Sequence, residues 1–269
     1  MKYDRAKYIE ESLPIEKELG ALFNTDKEVI IFEIGACEGE DTIKYARLFK
    51  KGKVYAFEPL ADNIKIAHNN FTKYSVKNAE IFQKALSSQK GYAEFHVSQG
   101  QPDNIEQSDW DYGNKSSSLL APEKHLEYTD FISFDKSIKV ETDTIISFCQ
   151  QNGINSIDFI HMDVQGAELL VLEGAGQFIN NIKSVWLEVA EVELYKGQPL
   201  VNDVRVFMNK HNFVLVKNCI NGFAGDQLYV SRLHFPNYKT LFPKGAWRDY
   251  LLSARILSKL KRLARKIIG

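Results

Sequence analysis

Apolar residues along this chain gather in short runs that end at glycine, proline or an acidic residue, separated by stretches in which they recur every three or four positions. The runs EVIIFEIG (28–35), KVYAFEP (53–59), AEIFQKALS (79–87), SIDFIHMDV (156–164) and SVWLEVA (184–190) predict strands, and YAEFHVS (92–98) alternates like an additional one. Helical spacing occupies 41–50, 60–70, 142–152, 167–179 and 203–212. FVLVKN (213–218) and QLYVSR (227–232) close the series, and the connection between them is too short for a crossover helix, so this last pair is expected to be antiparallel. Strands alternating with helices predict an α/β fold, a doubly wound, Rossmann-like sheet of seven strands. Residues 1–28 read as an N-terminal helical extension broken at Pro14, 29–232 as the main domain, and 233–269 as a C-terminal segment with a basic helix.

Composition narrows the function classes. Of 269 residues, 44% are hydrophobic and 26% charged, which suits one large globular domain with extensions. A net charge of −1 argues against a nucleic-acid binder. Cys37, Cys149 and Cys219 are far apart and form no CxxC pair, so neither a disulfide framework nor a zinc site is expected. The charged start lacks the apolar stretch of a signal peptide, and no apolar run approaches the roughly 18 residues that cross a bilayer. A cytoplasmic setting is expected.

Charge is unevenly spread. Residues 244–269 carry eight basic side chains against Asp249 alone, within a chain whose total is −1. In this tail Leu252, Ile256, Leu260, Leu263 and Ile267 form one apolar helical stripe, with Arg255, Lys259, Arg262 and Lys266 beside it. One reading packs the helix on its own domain or on a second copy, as in a homo-oligomer. The other lays it on the inner face of a membrane as a peripheral contact, apolar side in the lipid and basic side on anionic headgroups.

The candidate chemistry begins at IFEIGACEGED (31–41), where Gly35 and Gly39 follow a strand and Glu33, Glu38, Glu40 and Asp41 surround them. Glycine loops after strands usually cradle phosphate on a helix N-terminus, which four carboxylates would repel. A dinucleotide loop would read GxGxxG; this one reads GxxxG. A ligand without phosphate that carries a sulfonium and an ammonium fits better, and S-adenosylmethionine is such a ligand. On this reading Glu33, Gly35, Ala36, Gly39 and Asp41 hold its methionine portion. Glu58, which ends the second strand about 20 positions on, takes the ribose, and Ala85 borders the adenine. An NAD-dependent oxidoreductase is the competing enzyme, disfavoured by the missing middle glycine. A non-catalytic scaffold subunit is the alternative without chemistry.

EIGACEGEDT, AFEP, SSSLL (116–120), DFIHMDVQGAELLVLEGA and VWLEVAEVELY together resemble the FkbM family of S-adenosylmethionine-dependent methyltransferases, over roughly residues 29–232. The resemblance implies an O-methyltransferase acting on a sugar or glycan acceptor. The chain departs from the family at His161 and Gln165, where lysine and glutamate are more usual.

A second constellation lies at HMDVQGAE (161–168). On a strand His161 and Asp163 share a face, Glu188 ends the neighbouring strand, and Glu191 follows it. Methyl transfer to a hydroxyl needs an aligned acceptor and a group that removes its proton. Asp163 or His161 is the candidate base. Alternatively, Asp163 and Glu188 hold a divalent cation, magnesium or manganese, through oxygen ligands. His161 also reads as a hydrogen-bonded structural histidine, and Glu168 as a cap on the next helix. Ser117 and Glu191 are the candidate acceptor contacts, Ser117 as part of a loop closing over the site. Trp110 and Tyr112 read either as sugar-stacking rings or as packing for that loop.

Overall fold

The computed structural model describes residues 4–103 and 109–248, so the apolar stripe from Leu252 to Ile267 lies outside the described residues. The chain opens on two short helices, α1 (Arg5–Glu10) and α2 (Glu16–Leu22), parted around Pro14 as expected. Next come β1 (Ile30–Ile34), α3 (Glu40–Leu48), β2 (Lys53–Phe57), α4 (Ala61–Lys73) and β3 (Ala79–Phe82). The predicted third strand, 79–87, is in fact two. After Phe82 the chain leaves the first sheet, and β4 (Ala85–Leu86) joins a second one with β5 (Gly91–Gln99). A short helix, α5 (His125–Tyr128), precedes β6 (Ser133–Asp143), and α6 (Ile145–Gln151) leads to β7 (Ile157–Met162). α7 (Glu168–Glu173), β8 (Ile182–Ala190), α8 (Val201–Lys210), β9 (Phe213–Asn218), β10 (Ala224–Ser231) and α9 (Tyr238–Leu241) complete the series.

The main sheet has seven strands in the order β3-β2-β1-β7-β8-β10-β9. Its first five are parallel, and β10 runs antiparallel to both β8 and β9, so the expected antiparallel closing pair is present. β1 reads as one apolar run because helices cover both faces of the sheet. Phe32 and Ile34 face α6, where Phe148 packs on them, while Ile31 faces Tyr45 of α3 and Phe49 just beyond it. Alternation then puts Glu33 on the α3 face with Ile31. The reversal of strand order at β1 and β7 leaves a crevice at their carboxyl ends, the usual ligand position in such sheets.

Two expectations fail in detail. β6 replaces the first residues of the helix expected over 142–152, and Thr144 instead caps α6 by accepting from the Ser147 N–H at 3.1 Å. The helix expected over 167–179 stops at Glu173, and a 3-10 turn continues it at Gly176–Asn181. The break falls at Gly174, where a Cβ would lie 2.0 Å from the Ser87 carbonyl oxygen. The second sheet, β4-β6-β5, roofs the carboxyl end of the main sheet and carries the Ser-rich loop, since the His96 N–H donates to the Ser118 carbonyl at 2.8 Å.

Candidate active site

Gly35 fixes the geometry of the crevice. It takes φ +87, and a Cβ there would stand 1.9 Å from the Asp163 carbonyl oxygen, so only glycine lets the loop leave β1 flush against the end of β7. The Asp163 N–H donates to the Ile34 carbonyl at 3.0 Å, which locks the two strand ends together. One cavity of about 300 Å³ opens between them. Glu33, Gly35, Ala36, Asp41, Glu58, Ala85, Ser117, His161 and Asp163 all line it.

Three predicted residues do not line that cavity. Gly39 (φ +81) caps the start of α3 and packs on α4, where a Cβ would lie 2.7 Å from the Phe71 ring, so it shapes the loop. Glu188 is half-buried behind Gln165. Glu191 lines a separate cavity beside β9 and β10, with Arg205 and Trp247.

The four loop carboxylates have divided duties. Glu38 pairs with the Arg5 guanidinium, and Glu40 with Arg5 Nε at 3.1 Å and Lys115 Nζ at 3.7 Å. Arg5, buried on α1, and Lys115 thus offset Glu38 and Glu40 from within the chain, and Lys44 Nζ lies 3.8 Å from Asp41. Glu33 accepts from the Thr42 hydroxyl, and Asp41 from the Tyr8 hydroxyl at 2.9 Å. Parallel register sets Glu33 beside His161, and ligand atoms of Glu33, Asp41 and His161 lie within 4.8 Å of one another. Burial, and then the Asp41 charge, pushes the Glu33 carboxyl well above the usual range. Among the described residues His161 Nδ1 has no hydrogen-bond partner and is buried, with the Tyr45 ring edge-on to the imidazole at 5.5 Å. The reading of His161 as a hydrogen-bonded structural histidine therefore fails at Nδ1.

Glu58 ends β2 with one oxygen on the Cys37 N–H at 3.0 Å and the other on the Leu60 N–H at 2.8 Å. Burial raises its carboxyl to about 7 against the pull of those bonds. Leu60, Ala85, Leu86 and Phe95 form an apolar wall beyond it.

At the other end of the cavity, Gln165 Nε2 donates to Asp163 Oδ1 at 2.7 Å and to Glu188 Oε2 at 3.1 Å. An amide nitrogen thus stands between the two carboxylates expected to share a cation. Glu188 is pushed well up by burial and then by Asp163, Glu168 and Asp226; Asp226, its partner across β8 and β10, is raised to about 6, mainly by burial. Glu168, the first residue of α7, accepts from the Val164 and Gly166 N–H groups of the preceding turn at 3.3 and 3.2 Å, not from N–H groups further along its helix as the expected cap would, and burial raises it to about 7. The Tyr195 hydroxyl lies 2.9 Å from Gln165 Oε1 and 2.7 Å from the Ser116 carbonyl. Ser117 Oγ accepts from the Ser98 N–H at 3.0 Å, and Ser118 Oγ donates to the Gln165 carbonyl at 2.8 Å. The Ser-rich loop therefore closes one wall of the site. Trp110 lines the cavity while its ring meets Tyr8 edge-on at 5.1 Å, so it both packs and faces the space.

Arg5, Tyr8, Lys115, Gln165 and Tyr195 were not singled out as site residues by sequence reasoning. The signal for Arg5 and Lys115 was the loop itself, because four clustered carboxylates near a buried strand end need cations from elsewhere in the chain.

The sequence pattern of the methyltransferase FkbM domain matches residues 33–215. The 2-O-methyltransferase NoeI of Sinorhizobium fredii (strain NBRC 101917 / NGR234) is 31% identical over 217 residues, covering 81% of this chain and 85% of the relative. Among solved structures, the methyltransferase FkbM from Methylobacillus flagellatus KT aligns with a TM-score of 0.47 and 14% identity, over 84% of this chain but only 50% of that one. Magnesium protoporphyrin IX methyltransferase (ChlM) from Synechocystis PCC 6803, solved with bound SAM, aligns with a TM-score of 0.47 and 10% identity, over 84% and 79%.

Proposed function

The chain belongs to the FkbM methyltransferase family, and on that premise we propose that it is an S-adenosylmethionine-dependent O-methyltransferase acting on a hydroxyl of a sugar or glycan acceptor. One observation carries the reading: the glycine loop, Glu58 and Asp163 open onto a single cavity of about 300 Å³, at the lower end of the small-molecule range. The relative's description as a 2-O-methyltransferase supports oxygen as the methylated atom.

The donor set suits the cofactor. Glu33 and Asp41 offer carboxylate oxygens, and His161 an unpartnered ring nitrogen, to the ammonium of a methionine portion lying along Gly35 and Ala36. The Glu58 carboxyl takes the Cys37 and Leu60 N–H groups and has the Asn63 side chain beside it, and with about four lone-pair directions it retains capacity for a ribose hydroxyl. The apolar wall of Leu60, Ala85 and Leu86 suits an adenine ring. When bound, the cofactor supplies an electrophilic methyl on a sulfonium centre.

Asp163 lines the acceptor end of the cavity with a carboxylate and accepts the hydroxyl proton as the oxygen becomes nucleophilic. The amide of Gln165 between Asp163 and Glu188 supplies a neutral donor where a shared cation would stand, which favours direct base catalysis. Trp110 and the Ser-rich loop bound the space in which the acceptor is aligned. Family membership removes the ground for the NAD-dependent reading.

Calorimetry with S-adenosylhomocysteine is the direct test. One-to-one binding is expected, with none for NAD. Absence of S-adenosylhomocysteine binding at millimolar concentration would end the proposal.

A further inference from the structure

Gln165 stands immediately beyond the end of β7 at φ +53, in the left-handed region that favours glycine, asparagine and aspartate over a longer side chain. A position so disfavoured for glutamine has a use for its side chain, and the hydrogen bonds show what it is. Both protons of the amide nitrogen are taken, one by Asp163 Oδ1 at 2.7 Å and one by Glu188 Oε2 at 3.1 Å. The amide oxygen faces the Tyr195 hydroxyl at 2.9 Å, and that hydroxyl is also 2.7 Å from the Ser116 carbonyl. The Gln165 carbonyl accepts from Ser118 Oγ at 2.8 Å. One residue therefore ties the end of β7, the end of β8 and the loop that roofs the acceptor space.

We propose that Gln165 is a positioning residue for methyl transfer: its amide fixes the Asp163 carboxylate by one oxygen, leaves the other for the acceptor's proton, and sets the Ser116–Ser118 loop at a constant distance from it. The inference rests on the reading of Asp163 as the base. Among the described residues no other side-chain donor engages the Asp163 carboxylate, and the groups around it (Glu168, Glu188 and Asp226) are acids that would otherwise repel it. The requirement is specific to this amide. A glutamate keeps the length but cannot donate to two carboxylates, and an asparagine keeps the chemistry but is one methylene too short to span Asp163, Glu188 and Tyr195.

The backbone strain separates positioning from mere support. Gln165→Asn suits the left-handed conformation better, which offsets part of the loss of the amide's hydrogen bonds, so the variant should remain folded. Gln165→Glu keeps the length and replaces the donor with a further acid. Turnover is measured on whichever member of a panel of methyl glycosides the wild type methylates fastest, with affinity for S-adenosylhomocysteine measured calorimetrically. Both variants should keep that affinity within threefold and lose at least tenfold in kcat. A folded Gln165→Asn with wild-type kcat overturns the assignment, as does a loss of kcat that tracks a lowered melting temperature and lost cofactor affinity. Asp163→Asn, assayed alongside, tells the failures apart. If it is slow while the Gln165 variants are fast, only the positioning role falls. If it turns over at the wild-type rate, the base reading falls with it. A wild type inactive on the whole panel overturns the sugar reading beneath both.

Discussion

The carboxyl of Glu58 is held at about 7 by burial, although two backbone N–H groups favour its charged form. Ribose hydroxyls donate best to the ionised carboxylate, so cofactor affinity should rise with pH through that value. Affinity for S-adenosylhomocysteine is expected to fall roughly tenfold between pH 8 and pH 6, and Glu58→Gln should both weaken binding and flatten the dependence. A steep dependence retained in Glu58→Gln would place the titrating group elsewhere. Stability follows the opposite course. The folded carboxyl titrates higher than the ordinary 4.5, as does Glu168, also at about 7. The folded state therefore keeps protons that the unfolded chain releases, and these groups destabilise it progressively as pH rises from about 4.5 to 7. The melting temperature of ligand-free protein should accordingly drop less over that interval in Glu58→Gln than in the wild type. Glu33, Glu58 and Asp163 were legible because each lies at or just beyond the carboxyl end of a strand, where a charge is costly unless a ligand or partner meets it. Gln165 and Tyr195 were not, because they meet across 30 residues and only the fold brings them together.

Among the elements, α1 contributes beyond its six residues. Arg5 is buried against Glu38 and Glu40, and Tyr8 reaches Asp41 and lines the cavity, so what read as an extension forms part of the cavity wall. Arg5→Ala leaves two buried carboxylates with Lys115 as their remaining close cation, 3.7 Å from Glu40 and acting on Glu38 through space. The expected cost is about 3 kcal/mol in urea denaturation at neutral pH, since removing one partner of a buried pair strands the other charge. The loss should shrink toward pH 6, because the Glu38 carboxyl already titrates at about 7 and can be neutralised by a proton. A loss below about 1 kcal/mol would show that α1 is dispensable to the loop. The parallel strands were legible as unbroken apolar runs, being buried on both faces. β6 was not, because Asp135, Ser137, Lys139 and Glu141 line its exposed side and Lys136 interrupts the other, which leaves little apolar periodicity to see. The split between β3 and β4 was hidden for a related reason: Gln83 and Lys84 interrupt the run by changing sheets, and no glycine or proline marks the change.

For the whole molecule, the opposed charges of the sequence find partial resolution inside the site: α1 and Lys115 offset the acidic loop, while the acids around Asp163 are held by an amide and by burial. No helix among the described residues is long and apolar enough to cross a membrane. The central claim is that one cavity delivers a methyl group to a sugar oxygen with Asp163 taking the proton. Incubation with methyl-labelled S-adenosylmethionine and a panel of methyl glycosides, followed by locating the label, tests it most directly. The account predicts an alkali-stable methyl ether on a sugar oxygen, formed at least a hundredfold more slowly by Asp163→Asn while S-adenosylhomocysteine affinity stays within threefold. Label on nitrogen or carbon, or an Asp163→Asn variant as fast as the wild type, would contradict it.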